Sequence, residues 1–374
     1  MRPPESNEAR ILLGPGPSMV APRVMDALRR PILGYLDPDL FVVLFEIQIG
    51  LRQLFRTENE ITFALPGTGM SGAECALANL IEPSDRVLVV SSGFFGDRLV
   101  EIARRCGAEV YPVRSQWGRP VEPEDIESLL KQHPRWKLIA MVHAETSTGV
   151  HQPVEPIAEL ARRYEALLVV DAVTSLGGMP VEVDGWGIDI CFSASQKCIG
   201  APPGLAPITI SPRAWNSIQK RRTACQSWYL DLRLLWDYWS EPHVYHHTTP
   251  VSLMYALRAA LEMVEQEGLP ARYERHHHQA ERLWSGLQEL RLELLIPPEH
   301  RLPMLTVVRI PEGIPDQEFR LRLLREFNIE IGGGLGEWRG QVWRIGLMGH
   351  SCLAHNVDLL LSAMNTLLHQ YRSA

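Results

Sequence analysis

The chain has 374 residues, 45% of them hydrophobic and 22% charged, and its 37 Lys and Arg against 44 Asp and Glu leave a net charge of −7. That length allows a large core and two domains, while the mild, mixed charge argues against a nucleic-acid stripe or a polybasic membrane patch. No apolar run approaches the roughly 18 residues that span a bilayer, "MRPPESNEAR" lacks a signal peptide's apolar stretch, and six scattered cysteines without a C-x-x-C point to reduced thiols in a cytosol rather than a disulfide framework or a metal site.

From about Ile61 to Ile210, short apolar runs alternate with amphipathic stretches. The runs are "ITFAL", "RVLVVSS", "EVYPV", "KLIAMVH", "ALLVVD", "DICFS" and "APITI". Each has strand length and is apolar at consecutive positions, the pattern of a strand buried on both faces. Between them, "SGAECALANL" and "PVEPIAELARRYE" carry helical spacing, the second through Ile157, Leu160, Ala161 and Tyr164. The alternation predicts an α/β fold, a mainly parallel sheet covered by helices, with function beyond the carboxyl ends of the strands. After "YHHTTP" the pattern changes to a helix-rich stretch from about Val251 to Leu290, strands in "TVVRI" and "QVWRIGL", and a closing helix from about His355. The expected division is residues 1–250, an N-terminal segment plus a large domain, and residues 251–374, a smaller α/β domain.

The apolar run of "ALLVVDAVTSLGG" ends on Asp171, at a strand's carboxyl end. One β-loop-β unit later, "DICFSASQKCIG" sets Lys197 among small and apolar residues, where an unpaired ammonium is costly. A carboxylate and a lysine converging on one crevice suit pyridoxal phosphate: the lysine joins its aldehyde, and the acid keeps its ring nitrogen protonated. "LPGTGMSGAECALANL" offers the third requirement, a glycine-rich turn opening a helix whose free N–H groups seat a phosphate. Gly67, Gly69 and Gly72 also spell G-x-G-x-x-G, but a dinucleotide fold expects an acidic residue ending the next strand. "RVLVVSSG" supplies Ser91 and Ser92 there, so that reading fails.

With these motifs in place the chain resembles the class V, fold type I, pyridoxal-phosphate-dependent aminotransferases, the alanine–glyoxylate and serine–pyruvate group. The resemblance runs in order from "LLGPGPS" through "GTG", "ETSTGVHQP", "VVDAVTSLGG", "SASQK", "APPG" and "YHHTTP" to "GGGLG" and "RIGLMG". It implies that Lys197 carries the cofactor, that Asp171 faces the ring nitrogen, and that Thr68, Gly69 and the Met70 backbone cradle the phosphate with Gln196 beside it. Phe95 would stack on the ring, where some members have tryptophan, and Thr146 would face the ring's hydroxyl side. Tyr245 and Thr248 would reach the phosphate of the neighbouring subunit, which implies a homodimer. Arg344 would clamp the substrate carboxylate bidentately, with Gly16 on the substrate side. Met70 stands where some relatives have histidine. The implied reaction moves an amino group from alanine or serine to glyoxylate by way of pyridoxamine phosphate. No second arginine is evident for a side-chain carboxylate, which favours small monocarboxylates.

Rival readings are weaker. The run His276-His277-His278 reads as a solvated helix face without metal-ligand spacing, and "HVYHH" fits no zinc pattern. An acyl-enzyme S-x-x-K fails because Ala194 stands at the serine position. A cysteine desulfurase would use a reactive cysteine on a mobile loop late in the chain, and it or another lyase would release sulfide or alanine from cysteine without a keto acid. Cys352 instead follows the arginine closely and reads as a structural thiol, while a non-catalytic subunit would not need the full cofactor set.

Overall fold

The computed structural model describes residues 10–373. All seven apolar runs enter one seven-stranded sheet, as β1 (Ile61–Pro66), β2 (Arg86–Ser91), β3 (Glu109–Arg114), β4 (Leu138–Val142), β5 (Leu167–Asp171), β6 (Ile190–Phe192) and β7 (Leu205–Ile210), in the spatial order β1-β7-β6-β5-β4-β2-β3. Strand β7 runs antiparallel to both neighbours, and the remaining pairs are parallel. β4 and β5 are buried at every residue, as their unbroken apolar runs require.

The expectation of burial on both faces fails for "EVYPV". β3 is an edge strand with no fully buried residue. A proline is tolerated there because one side of the strand makes no ladder bonds.

Helix α1 (Pro38–Phe55) starts on Asp37, whose side chain accepts the Asp39 N–H, and stops at Arg56 with φ +54°. Its buried stripe of Leu40, Leu44, Ile47, Leu51 and Leu54 faces the sheet. Helix α2 (Gly69–Leu80) follows β1, and α3 (Phe94–Arg105) follows β2. The third glycine of G-x-G-x-x-G has a packing reason: a Cβ on Gly72 would sit 3.1 Å from the Phe192 ring.

The stretch after residue 250 forms α4 (Val251–Glu267) and α5 (Leu269–Glu289), separated at Gly268 with φ +77°. α4 packs on α1 within the first core. A second core collects Leu283 and Leu287 of α5 with an antiparallel sheet of β8 (Leu305–Arg309), β9 (Gly332–Gly333) and β10 (Val342–Gly346), and the closing helix α6 (Ala354–Ser373). Leu13 joins it because Ile11–Leu12 pairs in parallel with Ile329–Glu330. On β10 the strand alternation sends Trp343 into this core, stacked on Phe319 at 4.2 Å, and Arg344 to the opposite face. A stack of that kind contributes about 0.5–1.5 kcal/mol beyond its buried area.

The histidine run needs a correction. His277 and His278 are exposed, but His276 is 0% exposed. It shares the inward stripe of α5 with Arg272 and Ala280. Its Nδ1 lies 2.8 Å from the Arg272 carbonyl, and its Nε2 accepts the Gly349 N–H at 3.2 Å. Those partners call for the neutral ring, which is cheap to bury, and burial pushes its pKa down to about 3.

Candidate active site

Five carboxyl-end features of the sheet converge on one cavity of about 170 Å³. Its walls carry Thr68, Gly69 and Met70 from the start of α2, Phe95 from α3, Thr146, Asp171, and Gln196 with Lys197 from the turn after β6. Eight of the ten cofactor positions read from the sequence therefore meet in one place. The remaining two do not: Tyr245 and Thr248 lie exposed on the segment before α4, and Tyr245 packs on Tyr35 at 4.8 Å.

Lys197 sits in a single π-turn, Ser195–Ile199, that its own non-helical dihedrals interrupt. The N-terminal strap holds this turn. Ser18 donates its N–H to the Gln196 carbonyl at 2.9 Å and its Oγ–H to the Lys197 carbonyl at 3.0 Å. Lys197 Nζ donates to the Pro15 carbonyl. Gly16 holds φ +111°, a backbone conformation that favours glycine, and passes so close that a Cβ there would meet Nζ at 2.6 Å unless the lysine moved. Burial pulls the Lys197 pKa down to about 8; Arg344 pushes the same way, against Cys198 and Asp171.

Asp171 ends β5 at 3% exposure, and its Oδ1 accepts the Val173 N–H at 2.8 Å. Its other oxygen makes no hydrogen bond among the described residues. Burial raises its pKa to about 7, Glu145 adding to the rise and Lys197 opposing it. Arg344 is 7% exposed. Its Nε donates to the Gly333 carbonyl at 2.7 Å and Nη1 to the Thr146 carbonyl at 3.1 Å. No carboxylate pairs with it among the described residues, and burial draws its pKa down to about 10. A buried cation without a counter-ion is costly, so an anion brought to this fork would be held strongly.

The family profile of class V aminotransferases matches residues 45–337. The alanine–glyoxylate aminotransferase of Oryctolagus cuniculus is 40% identical over 98% of this chain and 95% of its own. The chain belongs to the class V aminotransferases. Among solved structures, an alanine–glyoxylate aminotransferase from Nostoc sp. superposes with a TM-score of 0.95 at 46% identity, covering 98% of this chain and 97% of that one. The ureidoglycine–glyoxylate aminotransferase of Bacillus subtilis superposes at 0.96 with 40% identity, over 98% and 95%.

Pyridoxal phosphate is the cofactor of this class V aminotransferase, and its cavity fits the group on three observations. Thr68 caps α2 without a side-chain hydrogen bond, so the first-turn N–H groups of Gly69 and Met70 remain open to a phosphate. Gln196 Oε1 is buried with no partner. Asp171 keeps one carboxylate oxygen uncommitted inside an apolar wall of Val142, Ala144 and Val173. The rival sulfur chemistry lacks its nucleophile: Cys352 is 0% exposed, and burial pushes its thiol up to about 12.

Sequence reading missed Val173 and Thr174, which line the cavity, Ser18, which grips the lysine turn, and Glu145, which lies under Phe95. All four lie in stretches quoted above, "LLGPGPS", "ETSTGVHQP" and "VVDAVTSLGG", but their roles needed the tertiary structure, because nothing local marks a backbone clamp.

Proposed function

We propose that this aminotransferase moves an amino group from a small amino acid, alanine or serine, to glyoxylate. The observation that carries the proposal is Arg344, a buried guanidinium without an acidic partner among the described residues, which lies behind the cavity wall on the Thr146 carbonyl, while the lining itself holds no arginine for a side-chain carboxylate. The relatives named for glyoxylate as acceptor support that half of the pair.

Bound pyridoxal phosphate supplies an aldehyde for the incoming amine and a ring that stores the electron pair. Arg344 holds the donor's carboxylate, which turns the α-carbon toward Lys197. Lys197 Nζ, already inclined to shed its proton, takes the α-proton and delivers it on the cofactor side. Asp171 would sit against the ring nitrogen and keep it protonated, and Phe95 would cover a ring face. Gln196 and the opening of α2 hold the phosphate.

Arg344→Ala is expected to weaken donor binding by about 2–5 kcal/mol, the scale for unpairing a buried charge pair, while the cofactor is retained. A wild-type enzyme that binds amino acids no better than their decarboxylated amines would contradict the clamp. A donor panel of alanine, serine, glycine, glutamate, cysteine and (S)-ureidoglycine against glyoxylate and pyruvate tests the substrate pair. Preference for glutamate, or sulfide release from cysteine without a keto acid, would overturn it.

The proposal includes a cytoplasmic homodimer. All six cysteines are unpaired, and no helix among the described residues is long and apolar enough to cross a membrane. Tyr35, Phe45, Trp228, Tyr229, Val244 and Tyr245 expose large apolar surface, as a second copy would require. Tyr245 and Thr248, outside this chain's cavity, would then serve the neighbour's phosphate. Sedimentation at micromolar concentration should report a dimer, and a fully active monomer would exclude shared sites. A large unit of residues 1–250 and a smaller one of 251–374 completes the reading, with α4 packed on the large unit and the Ile11–Leu12 strand on the small one.

A further inference from the structure

Glu145 is buried at 0% exposure, and no step above uses it. Its carboxylate accepts four hydrogen bonds. Oε1 takes the Ser147 N–H at 3.0 Å and O–H at 2.6 Å; Oε2 takes the backbone N–H groups of Phe95 and Gly96, both at 3.1 Å. Ser147 Oγ in turn accepts the Phe94 N–H at 2.9 Å. The first-turn N–H groups of α3, which would otherwise lack partners, are thus satisfied from a different part of the chain. Gly93, the residue before α3, leaves the space: a Cβ there would lie 2.7 Å from Glu145 Cγ and 2.4 Å from Ser147 Oγ, both too close.

All four partners donate, so the ionised carboxylate suits the site. Burial pushes its pKa up, and the hydrogen bonds oppose that rise. The next residue completes the connection, since the Thr146 carbonyl accepts from Arg344 Nη1. Glu145 and Arg344 attract each other without a direct ion pair. Four other donors saturate the carboxylate, so it does not occupy the fork that a substrate carboxylate needs.

We infer that Glu145 is a positioning residue that ties the ring-stacking Phe95 and the Arg344 clamp to one buried carboxylate, so that cofactor ring and substrate keep a single mutual geometry. The inference rests on the proposed use of this cavity and adds a residue to it.

Glu145→Gln keeps the size, but either way the amide turns, its NH2 faces groups that also donate. In the cofactor-loaded protein the visible circular dichroism band should fall by about half or more. The donor KM should rise about tenfold, the scale of one lost hydrogen bond to a charged group, while kcat changes less than about threefold. Gly93→Ala retains the carboxylate and pushes it aside; both signatures should move the same way by less, and it serves if the amide variant does not fold. A purely structural Glu145 would lower the melting temperature and leave the dichroism and KM at wild-type values. That outcome in a folded variant overturns the inference. Wild-type protein that takes up no pyridoxal phosphate would instead overturn the reading beneath it.

Discussion

Lys197→Ala is expected to abolish the borohydride-trappable visible band of the purified protein and to lower transamination by at least about 10⁴-fold, the upper range for a single proton-transfer group. Two functions disappear with one amine: the covalent hold on the cofactor and the base beside the α-carbon. The wild-type pH dependence follows from burial, which holds the pKa near 8. At pH 8 about half of the amine is neutral and nucleophilic, against under about 1% for an ordinary lysine. Capture of added pyridoxal phosphate by the apoprotein should rise through about pH 8 and level off near pH 9. A variant that still forms the reducible adduct, or a capture rate still climbing beyond pH 10, would remove Lys197 from this role.

Asp171→Asn is expected to bind the cofactor yet transaminate several orders of magnitude more slowly, because an amide cannot hold the ring nitrogen protonated. The same change should have an unusual effect on the empty protein. Burial raises the folded pKa of Asp171 to about 7, above the roughly 3.9 of an unfolded chain. Between those values the folded state binds more protons than the unfolded one, so stability falls as pH rises through that window. The asparagine variant lacks this loss. Its apoprotein should therefore match or exceed the wild type above pH 7, by up to about 4 kcal/mol. Urea unfolding at pH 5 and pH 8 checks this, and near-normal turnover in the variant would strip Asp171 of its catalytic role.

Both predictions concern residues that the linear sequence marks by contrast. A charged side chain at the end of an unbroken apolar run has no solvated neighbours to explain it, so Asp171 and Lys197 stand out without a structure. The glycines of "LPGTGMSG" stand out similarly, since a turn into a helix leaves N–H groups without partners. Arg344 came from the family resemblance alone; the structure adds the physical reason, since strand alternation turns it away from Trp343 and Ile345, both of which the second core takes.

His276 was not legible in that manner. Its neighbours are charged, and a local pattern cannot reveal that the Gly349 N–H and the Arg272 carbonyl wait on either side of one ring. β3 was misread for a related reason, because an apolar run does not say whether its strand ends up central or at an edge.

What the sequence by itself determined is the alternation of buried strands and amphipathic helices, and with it the fold class, the cofactor and the three features that suit it: Asp171, Lys197 and the glycine turn before α2. These follow from patterns within one element or one turn, where side-chain chemistry and spacing act over a few residues. Only the tertiary structure decided which distant groups close around those residues. Ser18 grips the turn of Lys197 and Leu13 enters the second core because the N-terminal strap pairs with Ile329–Glu330. Glu145 caps a helix that begins some fifty residues earlier. Such contacts form wherever packing leaves a donor and an acceptor facing each other, and that is a property of the assembled chain.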